Sequence, residues 1–524
     1  MKRREFLESA VLAGAMSAVS RSHASGKGPG FDVHPFVKAH PDAVFVVRTD
    51  IADKMNGDMI YNAGEKLARD LIVPVDSGGW PLSTLVTVKH NWHGIQTDPD
   101  LMPENTDANF TEGWIAGMMA SGPRKYYVNR SHEMATLFKH VDIAQLAREG
   151  NVDITDYNAD YWTLPDGAVH FIDIPDGIVF EKFGFISPFH KPGTFLVNLA
   201  KLKGHSMGIT GAVKNLQGTT PAFFRHFCCP YDQVRKRAGK EHEKYLKKGF
   251  EKNIEKLYER HLKDGIPRWQ ARKGLPTAYA GGIWQEQWTQ RMIDAYSVTS
   301  PQLSIIEGIY AMDGNGFGAG PHSKTPTGHT SRDYMTNVII FGLDPFRVDI
   351  VMHWLAGHEP GNFGLFHLGI ERGVSDVLDP KDIPLYEWKN GSAALAGLDD
   401  FPRTPLVTPF LQQEGEQKYH MCDEPFDYSA WKKGIRTGLA PSIQPLGRDA
   451  DRRLVLEMEV PEPGGACVDI YDADGTLVWR MDAGGELAPG IHQVVWDGFS
   501  SPGLHNVYVK GMGWDAHRRI VTGV

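Results

Sequence analysis

The chain has 524 residues, enough for two or three domains. Its 41% hydrophobic and 23% charged residues are those of an ordinary globular protein rather than a disordered or membrane-embedded one. A net charge of −9 argues against a nucleic-acid partner, and four cysteines with no C-x-x-C spacing argue against an iron–sulfur cluster or a Cys-type zinc site.

The N-terminus comes first in chain order. Arg3 and Arg4 stand directly before Glu5, Phe6 and Leu7, the arrangement of a twin-arginine signal. A mildly apolar run follows over residues 10–19, and Ser22-His23-Ala24 supplies a small-x-small cleavage site. Residues 1–24 are therefore expected to be a signal peptide, read by the twin-arginine export machinery and leaving a periplasmic or secreted protein. No other stretch reaches the roughly 18 apolar residues of a membrane span, so no transmembrane segment is expected in the mature protein. That export route takes folded cargo, often with a cofactor already inserted. The cofactor is open at this point, with a divalent metal as one candidate.

Residues 30–395 alternate short apolar, β-branched runs with stretches of helical spacing. Residues 43–48 (AVFVVR), 85–89 (LVTVK), 194–199 (TFLVNL), 303–309 (LSIIEGI) and 338–343 (VIIFGL) read as buried strands. Residues 109–120 and 143–149 read as helices, and another is expected near Asp344-Pro345, where Asp can cap and Pro can fill the first turn. This order predicts an α/β main domain with a largely parallel sheet. The charged stretch 235–263 reads as a solvated helical insertion, because its glutamates offset its lysines. Residues 396–450 read as a linker or wrapping arm. Over 451–524 the periodicity changes to strand alternation at Leu454, Leu456, Met458 and Val460, with a hairpin turn at Asp472-Ala473-Asp474-Gly475. A small all-β immunoglobulin-like sandwich is expected there.

Three segments carry candidate chemistry. In NLAKLKGHSMGITGAVKNLQGTTP, an apolar strand runs into Lys201, Lys203 and His205, and a glycine passage leads to Lys214 and Asn215. Cations in such a segment are costly unless partnered, while glycines and a following helix N-terminus favour an anion. The plainer reading is a strand end with solvated lysines beside a glycine turn. The second segment, Asp313 to His322, follows a strand, so it belongs at a carboxyl end where ligands bind. Asp313 and His322 are candidate metal ligands, and Asn315 a substrate contact. The third is Lys89-His90-Asn91-Trp92-His93, again directly after a strand, with Lys89 and Asn91 as candidate substrate contacts.

Taken together, LVTVKHNW, FLVNLAKLKGHSMGITGAVKNLQG, GIYAMDGNGFGAGP and FGLDPFRVDIVMHWLAG resemble, in order and spacing, the blocks of the domain of unknown function family 362. The resemblance spans roughly residues 40–380. Some members of that family carry ferredoxin-type cysteine clusters, which this chain lacks. A looser similarity links Lys203 to Gly218 with nickel-pincer lactate racemases, where a histidine acts at the reacting carbon and a lysine holds the cofactor. It would place His205 and Lys214 in those roles, with the spacing off by about a residue. The C-terminal pattern IYDADGTLVW…GIHQVVWDGFSSPG…VYVKG is similar to the immunoglobulin-like domain of flagellar hook-capping proteins.

The expectation is an exported enzyme acting on a small anionic molecule. Lys89, Lys201 and Lys203, with Asn91, Asn215 and Asn315, would bind it, and His205 and Lys214 would be catalytic. A non-catalytic periplasmic anion-binding protein and an interaction scaffold are the alternatives.

Overall fold

The computed structural model describes residues 28–92, 97–128, 135–143, 145–146, 161–174, 176–205, 208–225, 236, 239–263, 266, 283–299, 301–314, 332–406, 425–437, 443–448, 453–460, 463–471, 477–496, 503–511 and 515–522. The main sheet has nine strands: β1 (Val44–Arg48), β2 (Leu85–His90), β3 (Lys125–Val128), β4 (Thr194–His205), β5 (Gly208–Thr210), β6 (Leu303–Met312), β7 (Asp333–Gly342), β8 (Leu385–Lys389) and β9 (Ser392–Ala396). Their order is β9-β8-β1-β7-β6-β4-β2-β3, with β5 folded back on the end of β4. The run β6-β4-β2-β3 is parallel throughout, as are β1 and β8. β7 is antiparallel to both its neighbours, β6 and β1. The sheet is thus mixed and mostly parallel, with the strand at 338–343 the one expected strand that reverses direction.

Continuous apolar runs form these strands because both faces are covered. Every residue of β6 is buried, and every residue of β4 after Thr194. One face packs on α1 (Gly57–Leu71) and α2 (Ala108–Ala120) through Val86, Val88, Val197, Leu199, Ile305 and Ile309. Ala200, Leu202 and Ile306 pack on the other side, with α3 (Ala212–Asn215), α5 (Ile283–Ser297), α6 (Pro345–Leu355) and α7 (Gly364–Glu371). The expected cap at α6 is present, with the Asp344 carboxylate accepting from the amides of Phe346 and Arg347 and Pro345 in the first turn.

The charged stretch is shorter as a helix than its composition suggests. A turn of 3₁₀ helix at Gly239–Lys244 is followed by Gly249 at φ 75°, and only then does α4 (Phe250–Lys263) begin. A left-handed glycine cannot continue a right-handed helix, so the stretch divides there. Most of α4 is exposed, and its inner residue His261 sits between Glu286 of α5 (2.6 Å) and Glu371 of α7 (2.8 Å). Residues 144 and 147–149 of the expected helix at 143–149 lie outside the described residues. Within 396–450 there is a helix that periodicity did not announce, α8 (Tyr428–Thr437). Tyr428 and Trp431 pack on the main core, and Lys432 bridges Asp379 and Asp382.

The C-terminal strands form two small antiparallel sheets. One is β10 (Ile443–Arg448), β11 (Leu454–Val460) and β14 (Gly490–Trp496), with β11 central. The other has the order β13-β12-β15-β16, from β12 (Gly464–Tyr471), β13 (Leu477–Leu487), β15 (Gly503–Gly511) and β16 (Asp515–Thr522). The expected alternation holds, with Leu456, Met458 and Val460 buried beside Val468, Ile470, Val494, Trp496, Val507 and Val509.

Candidate functional site

Alternation along a strand puts residues i, i+2 and i+4 on one face, so Lys201, Lys203 and His205 share a side of β4 as it reaches the carboxyl edge of the parallel run. Each finds a different environment. Lys201 is fully buried and donates to Glu307 Oε2 at 2.5 Å from the adjacent strand, where register sets the two residues opposite each other. Its ammonium also lies 3.4 Å from the centroid of the Tyr310 ring. The Tyr310 hydroxyl donates to Asp107 Oδ2 at 2.7 Å, and the Asp107 amide returns to Glu307 Oε2 at 3.2 Å. Asp107 also caps α2, accepting from the amides of Asn109 and Phe110. The circuit is closed. Burial pushes the Lys201 pKa down and the Glu307 pKa up, and the ion pair opposes both shifts.

Lys203 lies two residues further, 2% exposed. Its pKa is brought down to about 7, first by burial and then by the charges of Lys214 and Lys201, with Glu104 pulling the other way. Glu104 is itself buried, on the 3₁₀ turn Met102–Glu104. Lys214, half-buried on α3, thus belongs to the same cluster of charge. His205 is 6% exposed, with its ring nearly parallel to the Trp288 indole of α5 and 6.4 Å from it. The β5 return places Thr210 opposite Lys203 and Gly208 opposite His205. The end of β6 arrives at the same point. A Cβ on Gly204 would lie 2.7 Å from the Gly314 carbonyl oxygen, so the two glycine-bearing segments meet backbone to backbone.

The remaining candidates hold this edge together. Lys89 donates to Asn215 Oδ1 at 2.9 Å and to its neighbour's carbonyl at His90. The Asn215 amide nitrogen reaches Asn198 Oδ1 (2.8 Å) and the carbonyls of Lys89 and Leu199 (3.1 Å each). Asn215 therefore ties α3 to both β2 and β4. The Asn91 amide donates to Thr106 Oγ1 at 2.9 Å, and its side chain is half-buried. Asp313 is buried, and its carboxylate accepts from the Arg332 amide (2.7 Å) and the Tyr334 hydroxyl (3.3 Å). Asn315, His322 and His93 lie outside the described residues. Among the described residues no group of three or more His, Cys, Asp or Glu side chains stands ready to ligate a metal.

One expectation needs correction. The helix after the glycine passage was expected to offer its N-terminus to an external anion. Instead Asp349 of α6 occupies that place, accepting from the amides of Ala212 (2.5 Å) and Val213 (3.0 Å). Gly211 makes room for it, since a Cβ there would fall 2.1 Å from Asp349 Oδ1. This glycine serves an internal carboxylate rather than a ligand.

Four residues of the cluster were not singled out from sequence: Glu104, Asp107, Glu307 and Tyr310. Glu307 was readable as the lone acid in an otherwise apolar strand, and Asp107 as the cap before the helix expected at 109–120. Glu104 and Tyr310 had no local signal. No curated protein matches the chain. Residues 86–353, from β2 into α6, match the family model described as Domain of unknown function (DUF362), and the chain belongs to that family.

Proposed function

We propose that this protein is an exported enzyme acting on a small anionic substrate at the carboxyl edge of β2, β4 and β6. Lys203 and Lys214 receive the negative charge, and Lys203 and His205 carry the proton transfer. The observation that supports this most is the buried Lys203, its pKa brought down to about 7 by burial and by the charge of Lys214 against that of Glu104. A lysine so placed can bind an anion when protonated and accept a proton when neutral, which an ordinary lysine does not do near neutral pH. Lys201, neutralised by Glu307, and Lys89, tethered to Asn215, support the edge beside it. Export rests on the twin-arginine arrangement at Arg3 and Arg4. The C-terminal region is read as an immunoglobulin-like module on the strength of its strand alternation and its sequence pattern, and no chemistry is assigned to it.

The first test is calorimetric titration with acetate and with inorganic phosphate across pH 6 to 9. Binding should be tightest below pH 7 and weaken as Lys203 loses its proton. Lys203→Met should abolish it, and Lys203→Arg should retain binding without the pH dependence. Equal binding by wild type and Lys203→Met would overturn the reading. Lys203-dependent binding without turnover would make the protein a periplasmic anion receptor instead.

A further inference from the structure

Helix α5 is buried yet polar. Gln285, Glu286, Thr289, Gln290, Arg291 and Asp294 are all at most 1% exposed. Most of these have structural work. Glu286 holds His261, Gln290 accepts from Arg372, Arg291 donates to the Phe224 carbonyl, and Asp294 accepts from the amides of Ile178, Val179 and Phe180. Gln285 does not. It is fully buried, and among the described residues neither its amide nitrogen nor its amide oxygen has a partner. The same is true of the Trp288 indole nitrogen and the Thr210 hydroxyl, at 3% and 0% exposure.

Two of these orphans stand beside the β4 cluster, and the third is one helical turn from one of them. Gln285 and Trp288 are three apart on one helix face, and Trp288 faces the His205 ring. Thr210 stands opposite Lys203 across the β4–β5 pair, on the side of β4 that also carries His205. Buried polar groups without partners are rare and costly, so several of them beside one charged cluster point to a missing ligand. Their chemistry restricts it. A carboxylate or phosphate oxygen can accept from Trp288 and from the Gln285 nitrogen, but the Gln285 oxygen needs a donor. A hydroxyl both donates and accepts.

We propose that Gln285, Trp288 and Thr210 form the uncharged half of the site, and that its ligand is a polyhydroxylated anion, either a sugar acid or a sugar phosphate. This rests on the anion reading of Lys203 and Lys214. Gln285 is then the residue that separates such a ligand from a bare anion.

The test compares gluconate and glucose 6-phosphate with acetate and inorganic phosphate by calorimetry, together with the melting temperature of the unliganded protein. Wild type should bind one hydroxylated anion at least about tenfold more tightly than its bare counterpart, on the scale of one good hydrogen bond. Whether gluconate or glucose 6-phosphate wins distinguishes the two sources. Gln285→Leu should lose that margin, keep the affinity for acetate and phosphate, and melt higher than wild type when unliganded, because it removes two orphaned groups. Gln285→Met serves if the leucine is not accommodated. Hydroxylated anions binding no better than bare ones, or a lower melting temperature in both variants, would overturn the proposal and leave the anion reading standing. Bare anions bound equally with and without Lys203 would instead overturn the anion reading itself.

Discussion

Lys201 and Glu307 are each fully buried, and each is tolerable only because of the other. Glu307→Gln would remove the carboxylate paired with the ammonium, leaving the Tyr310 ring, a neutral amide and the weaker pull of Asp107. It should therefore cost on the order of 3–5 kcal/mol of stability in denaturant unfolding. Replacing both partners together, Lys201→Met with Glu307→Leu, should cost far less, since the desolvation of two ions is removed with the pair. If the single and double changes were equally damaging, packing rather than charge would govern the site. The cation half of this arrangement was legible in sequence, because a lysine inside an apolar strand demands a partner. Its identity was not. The pairing depends on β4 and β6 lying parallel in a particular register, 106 positions apart in the chain.

At the level of elements, α3 is a single turn of helix held by a carboxylate from α6. Burial raises the Asp349 pKa to about 7, against the pull of the two amides. Because the folded value lies above the unfolded one, this group favours the fold most at pH below about 4, and the contribution is lost as pH rises towards 7. One turn on, His353 Nδ1 donates to the Asp349 carbonyl at 2.7 Å, and burial lowers its pKa to about 4. Its contribution has the opposite sign, present above the ordinary histidine range and lost as pH falls towards 4. The two slopes oppose each other over nearly the same window. Asp349→Asn keeps one acceptor and removes one slope, so the variant's stability should rise more steeply than wild type's between pH 4 and 6.5. Parallel urea titrations of the two proteins against pH would show this, and identical slopes would count against it. The Asp344 cap was legible because capping is local in sequence. The Asp349 cap was not, because it joins α6 to a helix 136 positions earlier.

For the whole molecule, the described core divides into separate clusters, and the strands after residue 443 have their own. A chain ending after α8, whose Tyr428 and Trp431 pack on the main core, should keep the thermal transition of the α/β domain and its anion titration unchanged. Loss of either would mean that the C-terminal sheets complete the site. The strands from Leu454 on could be read from two-residue periodicity at Leu454, Leu456, Met458 and Val460, but not β10 at Ile443–Arg448, which the expected 396–450 linker included. The mixed direction of the main sheet could not, because 338–343 has the same apolar, β-branched composition as its parallel neighbours. Composition reports burial on both faces and is silent on direction.

The placement of β4 also governs how the chain reaches this state. Its partners on either side come from β2 and β6, and contacts to them join residues 108 and 106 positions apart. The central strand therefore cannot be paired on both sides until β6 in the second half of the chain has been made. Lys201 in particular has no counterion until β6, which carries Glu307, has been made. Ordering that many residues before the central contacts form is slow. The paired Lys201–Glu307 edge of the sheet is thus among the last features to form.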